Sequence, residues 1–184
     1  MAKLAAKTYS EALFELAIEE DIIDSLYEEV LQVTEALGEN PELKSLMVHP
    51  KVSRDEKITV IEEIFKGRIS NVLCGFLVRI VAADRYEMLD ETLDSFISRV
   101  KEYKKIGIAY VETPIELDPD KKQLVEQKLL DTTEYTSMEM HYSVDPSLIG
   151  GMRIRIGDKV VDSSVSTKLM QLSRQLHKIQ LKNI

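Results

Sequence analysis

Residues 145–162 read DPSLIGGMRIRIGDKVVD, and the period of this stretch decides how the second half of the chain is built. Gly150-Gly151 leads into Met152-Arg153-Ile154-Arg155-Ile156, in which apolar and basic side chains strictly alternate. A phosphate loop would lead into a helix start and commonly add Lys followed by Ser or Thr, because it works by aiming consecutive backbone N–H groups at one anion. Alternation at period two is strand spacing instead. Gly157-Asp158 separates this run from Lys159-Val160-Val161. A two-residue connection of that kind predicts a tight hairpin in which glycine supplies the positive φ.

Working outward, Met138, Met140, Tyr142 and Val144 alternate with Ser137, Glu139, His141 and Ser143, which predicts a strand buried on one side. AYVETPIEL, residues 109–117, alternates more loosely and contains Pro114, which fits an edge strand because proline cannot donate to the ladder. Asp118-Pro119 predicts the capped start of a helix running through Leu124, Val125, Leu129 and Leu130. Beyond the hairpin, Val165, Leu169, Leu172, Leu176 and Ile179 step by three and four along a terminal helix. Residues 106–184 are therefore expected to form a small α+β domain.

Before Gly107 the period is helical almost throughout. Ala5, Tyr9, Ala12, Leu13, Leu16 and Ala17 share one face of a first helix, and Leu26, Val30, Val33 and Leu37 of a second. Asn40-Pro41 reads as the cap and first-turn proline of a third, and Ser53 with Glu56 has the form of a capping box for a fourth. A fifth runs from Leu73 to Ala83, and a sixth carries Met88, Leu89, Leu93, Phe96, Ile97 and Val100. Short connections pack neighbouring helices antiparallel, so residues 1–105 are expected to form a six-helix bundle and the whole chain to be mainly α.

Charge and composition narrow the function. A net charge of −8 and a pI near 5.0 disfavour nucleic acid as the main partner, since phosphate binding depends on clustered Lys and Arg. The acidity is uneven: residues 1–105 hold 14 basic against 21 acidic side chains, and between Lys7 and Lys44 stand eleven acidic residues and no basic one. That run is either a hydrated surface or a field that steers a basic segment. The single cysteine, Cys74, precludes an internal disulfide and reads as a small core residue. The N-terminus resembles neither a secretory signal nor a transit peptide, and the apolar run around Phe76 to Ala83 is too short to span a bilayer.

Nothing reads as catalysis. His49, His141 and His177 are widely spaced, and the adjacent carboxylates of the acidic runs point about 100° apart on a helix rather than at one atom. No zinc-protease helix, nucleophile elbow or dinucleotide fingerprint is present, so no enzyme activity and no cofactor are expected. Two helices, however, carry extra apolar surface. The first has a second stripe of Phe14, Ile18 and Ile22, and in the fifth VLCGFLVRIVAA has Arg79 as its only charge. Either the fifth helix is enclosed by the others, or a groove between the two accepts an amphipathic segment of another chain.

Lys7 to Ala17, KTYSEALFELA, resembles the opening helix of the δ subunit of F-type ATP synthases, the oligomycin-sensitivity-conferring protein family. The stretch from Asp145 through Ile149-Gly150-Gly151-Met152, Arg153 to Asp158, Val161-Asp162, Ser164-Val165 and Lys168-Leu169 resembles that family's diagnostic motif. The likeness spans essentially the whole chain. It implies a non-catalytic stator component, peripheral to the membrane on its cytoplasmic face. Its N-terminal domain would grip the N-terminal helix of an α subunit and its C-terminal domain the b subunit of the peripheral stalk.

Carried onto matching positions, the α-facing candidates are Tyr9, Ala12, Leu13, Leu16, Phe76, Leu77, Arg79, Ile80 and Ala83, positions equally compatible with a bundle core. The stalk-facing candidates are Gly150, Gly151, Arg153, Arg155, Leu169, Leu172 and Leu176. Where relatives often carry arginine, this chain has Ser166 and Lys168, so no bidentate arginine is available there. The rival expectation is a soluble helical scaffold or regulator that captures an amphipathic peptide outside any rotary machine.

Overall fold

The computed structural model describes the backbone of residues 2–182 and the side chains of residues 4–173. The described residues form eight α-helices, one 3-10 turn and a four-stranded sheet. They divide into two compact units, residues 1–101 and 102–184.

The first unit contains α1 (Ala2–Glu19), α2 (Ile23–Glu39), α3 (Pro41–Val48), α4 (Arg54–Phe65), α5 (Asn71–Ala82) and α6 (Leu89–Tyr103), the last of which runs two residues beyond the unit's boundary. One core joins Leu13 and Ala17 of α1, Leu26, Val30 and Val33 of α2, Ile61 of α4, Leu73 and Leu77 of α5, and Leu93 and Phe96 of α6. Burial of each such large side chain contributes roughly 1.5–3 kcal/mol.

Polar groups fix where these helices begin. Ser53 and Glu56 form the anticipated capping box, with the Glu56 carboxylate 2.8 Å from the Ser53 amide. Asn40 does not cap α3; its side-chain amide donates to the Ala36 carbonyl at 2.7 Å and so closes α2, while Pro41 takes the first turn of α3. Within the acidic run, Glu29 has a specific structural role. Its carboxylate accepts from both the amide and the hydroxyl of Ser70, at 3.0 and 2.6 Å, directly before α5, where the helix dipole favours negative charge.

The second unit contains β1 (Ile106–Thr113), α7 (Pro119–Thr132), β2 (Ser137–Val144), β3 (Arg153–Ile156), β4 (Lys159–Asp162) and α8 (Val165–Lys182). The strand order is β2-β1-β3-β4, with β1 parallel to β2 and antiparallel to β3. The loosely alternating segment is therefore a central strand and not an edge. It begins at Ile106 and ends at Thr113, so Pro114 lies just beyond it, and Gly107, Ala109, Val111 and Thr113 are buried on one face. Asp118 stands at the head of α7 but pairs with Lys121 at 2.8 Å and makes no side-chain cap bond.

The hairpin forms at Gly157-Asp158, with Gly157 at φ +54°. Gly151, at φ +83°, serves a second purpose, because a Cβ there would stand 2.5 Å from the Ser163 carbonyl oxygen. Two backbone bonds, Ser163 N–H to Met152 O and Val165 N–H to Gly150 O, both 2.9 Å, use that close approach. Asp162 then turns the chain from β4 into α8. It accepts from the Ser164 amide at 2.9 Å and the Thr167 hydroxyl at 3.0 Å, while the Ser164 hydroxyl accepts from the Thr167 amide. The bonds from Ser164, with smaller help from Thr167 and the nearby Arg153 charge, lower the Asp162 pKa to about 2.

Candidate functional site

Helix α1 sorts its residues onto two apolar stripes. Ala6, Ser10, Leu13, Phe14 and Ala17 are buried, at the three- and four-residue spacing of one helix face. Ala5, Tyr9, Ala12 and Leu16 form the stripe beside it. In α5, Leu73, Leu77, Ile80 and Val81 are buried, leaving Val72, Gly75, Phe76 and Arg79 facing outward. The outward stripes border a groove of about 620 Å³, lined by Ala5, Thr8, Tyr9, Ala12, Leu13, Leu16, Val72, Gly75, Phe76, Arg79 and Arg85.

Aromatic packing and one cation shape its wall. The rings of Tyr9 and Phe76 meet edge to face with centroids 6.4 Å apart. The Arg85 guanidinium lies 5.5 Å over the Tyr9 ring and donates to the Tyr9 hydroxyl across 3.3 Å. Among the described residues no Asp, Glu, His or Cys lines the groove. It can bury apolar surface and meet negative charge with two arginines. Among the described residues no group of three His, Cys, Asp or Glu side chains is placed to hold a metal ion, and no helix is long and apolar enough to cross a membrane.

Six of the α-facing candidates, Tyr9, Ala12, Leu13, Leu16, Phe76 and Arg79, border this groove, Leu13 as its floor. The other three do not. Leu77 and Ile80 are each 1% exposed and belong to the core, and Ala83 is exposed but lies away from the groove. The extra stripe on α1 divides: Phe14 turns into the core with the Arg99 guanidinium 5.4 Å over its ring and Ile22 packs on the same core, while Ile18 is 42% exposed, and the groove opens on the Ala5-Tyr9-Ala12 side. Both stripes are apolar, and spacing alone does not say which faces in. The reading of the sequence missed Gly75, a lone glycine inside the apolar run of α5, and Arg85, a loop residue that carries no periodic signal.

In the second unit the candidates divide differently. Gly151 is required by the backbone, and a Cβ on Gly150 would come within 3.1 Å of the Val165 side chain. Arg153 bonds Glu112 at 3.1 Å and lies 3.6 Å from Asp162, which commits it to the sheet. Arg155 lies 4.5 Å over the Tyr110 ring, and Tyr110 in turn stacks on His141. Leu169 and Leu172 are 56% and 55% exposed along α8; the side chain of Leu176 lies outside the described residues.

Comparison with known proteins finds similarity over nearly the full length. The family described as ATP synthase delta (OSCP) subunit matches residues 5–176. An ATP synthase subunit delta of Lachnoclostridium phytofermentans is 48% identical over 181 residues, covering 98% of this chain and all of that protein. One from a Geobacillus species is 32% identical over 95% of this chain and 97% of its own length. A chain in the cryo-EM structure of the Toxoplasma gondii mitochondrial ATP synthase hexamer shares the fold, with a TM-score of 0.71 at 22% identity over 93% of this chain and 96% of that one. The chain therefore belongs to the ATP synthase delta (OSCP) subunit family, the non-catalytic stator components of that enzyme.

Proposed function

We propose that this subunit ties the catalytic head to the peripheral stalk, with residues 1–105 acting as a six-helix bundle that receives the N-terminal helix of an α subunit and residues 106–184 holding the b subunit. The observation that carries this reading is the open apolar groove between α1 and α5, whose wall includes Tyr9, Ala12, Leu16 and Phe76. An amphipathic helix laid there would bury side chains worth roughly 1.5–3 kcal/mol each, more than exposed ion pairs at about 0–1 kcal/mol contribute. In the second unit, the exposed Leu169 and Leu172 supply a separate apolar stripe for the stalk.

Holding the head at one end and the stalk at the other resists the drag of the rotor on the head. Joining two modest contacts in one chain raises the effective concentration of the second once the first has formed. The complex works at the cytoplasmic face of the membrane, with this subunit peripheral and coupling rotation to ion movement and ATP synthesis.

Amide chemical-shift mapping of the full chain tests both attachments. A synthetic peptide of the cognate α N-terminus should move resonances around Ala5, Ala12 and Gly75, and a C-terminal b fragment should move those of the second unit. Binding of unrelated amphipathic peptides as tightly as the α peptide, or in its place, would favour a general peptide scaffold.

A further inference from the structure

Among the described residues, Arg79 and Arg85 are the only charged side chains bordering the groove, in a chain of net charge −8. Arg85 is partly engaged by Tyr9. Arg79 is exposed, and among the described residues its guanidinium has no carboxylate or hydrogen-bond partner. A guanidinium beside an apolar wall is stable while water covers it. Once another helix covers the groove, that hydration is lost, and a carboxylate is the partner that offsets it best.

Gly75 stands four residues before Arg79 and thus one turn away on the same face of α5. Nothing in the fold requires a glycine there: its φ is not positive, and an added Cβ would meet no atom within 4 Å. Glycine inside a helix weakens it relative to alanine, so the missing side chain suits a neighbouring backbone that comes close.

We infer that the groove selects an acidic amphipathic helix, which crosses closest over Gly75 and places a carboxylate about one turn from that crossing, against Arg79 with Arg85 beside it. This rests on the proposed docking of the α-subunit helix and specifies which charge that helix carries and where. Apolar burial supplies the affinity, and the carboxylate fixes the helix's register along the groove.

A double-mutant cycle on the full chain tests it. The probe is the synthetic α N-terminal peptide, together with versions in which each Asp or Glu is replaced in turn by Asn or Gln. Arg79→Gln should weaken binding about tenfold at low salt, a change equal to roughly 1.4 kcal/mol. The loss should shrink as salt rises. One peptide carboxylate should show the same loss, and combining that change with Arg79→Gln should cost little more than either alone. Arg85→Gln should weaken binding in the same direction, and Gly75→Leu should weaken it about a hundredfold by blocking the crossing, a factor near 2.8 kcal/mol.

Unaltered melting of the arginine variants shows that the fold is intact. Full affinity in both arginine variants, or strict additivity with every peptide carboxylate, overturns the inference while leaving groove docking in place. Failure of the peptide to bind the unaltered chain, or binding indifferent to Gly75→Leu, overturns the docking reading and this inference with it.

Discussion

The ring of Tyr9 meets that of Phe76 edge to face, with centroids 6.4 Å apart at an interplanar angle of 72°. This contact joins α1 to α5 along the wall of the groove, and Arg85 locks the outer side of Tyr9. Because Phe76 is half-buried, Phe76→Ala should cost roughly 1–2 kcal/mol of stability, below the 3–5 kcal/mol typical of a fully buried phenylalanine. Denaturant titration measures that loss. Tyr9→Phe, which keeps the ring contact and removes only the bond to Arg85, should cost about 0.5–1.5 kcal/mol.

Gly75→Ala separates stability from binding. With open space around its Cβ position and a φ that is not positive, alanine should stabilise α5 by about 0.5–1 kcal/mol. The thermal midpoint of the free subunit should rise while the affinity for the α peptide falls. A rise in both would show that no backbone approaches there.

Gly151 and Gly157 predict unequal costs for the same substitution. Both have positive φ, but only at Gly151 would the new Cβ strike backbone, 2.5 Å from the Ser163 oxygen and 2.9 Å from the Ser164 Cα. Gly157→Ala should cost about 1–2 kcal/mol in backbone strain, and Gly151→Ala should cost clearly more. Amide exchange of β3 and β4 should accelerate more in the Gly151 variant.

Acid should loosen the junction between β4 and α8. Hydrogen bonds from Ser164 hold Asp162 at a pKa of about 2, below its ordinary value of 3.8. A depressed carboxylate contributes stability that is fully present above the unfolded value and is lost as pH falls through the folded one. This contribution should therefore disappear between roughly pH 4 and pH 2. Asp162→Asn should flatten the slope of stability against pH in that window. Denaturation series at several pH values compare the two chains, and an unchanged slope would deny Asp162 this role.

Local chemistry was legible in the sequence where a residue's role depends on its near neighbours. Gly157 sets a hairpin turn, and Ser53 with Glu56 starts a helix, through bonds that span three residues or fewer. Roles set by distant partners were not. The central place of β1 depends on pairing with β2 about 30 residues later and β3 about 45 residues later, and no local period encodes that. Asn40 looked like the cap of α3 because its side chain suits either end of a connection, and it bonds backward to Ala36. The groove was half-legible: α1 and α5 plainly carry surplus apolar surface, but Phe14 and Tyr9 occupy rival stripes of similar character. Only the packed helices show that Phe14 turns inward.

Ala12 is exposed on the groove wall, so filling its position reports on the groove with little disturbance of the core. The most direct measurement is calorimetric titration of the Ala12→Trp subunit with the α N-terminal peptide, alongside its melting curve. Affinity should fall at least a hundredfold, near 2.8 kcal/mol, with the melting midpoint essentially unchanged. Undiminished affinity in a variant that melts normally would contradict docking in this groove.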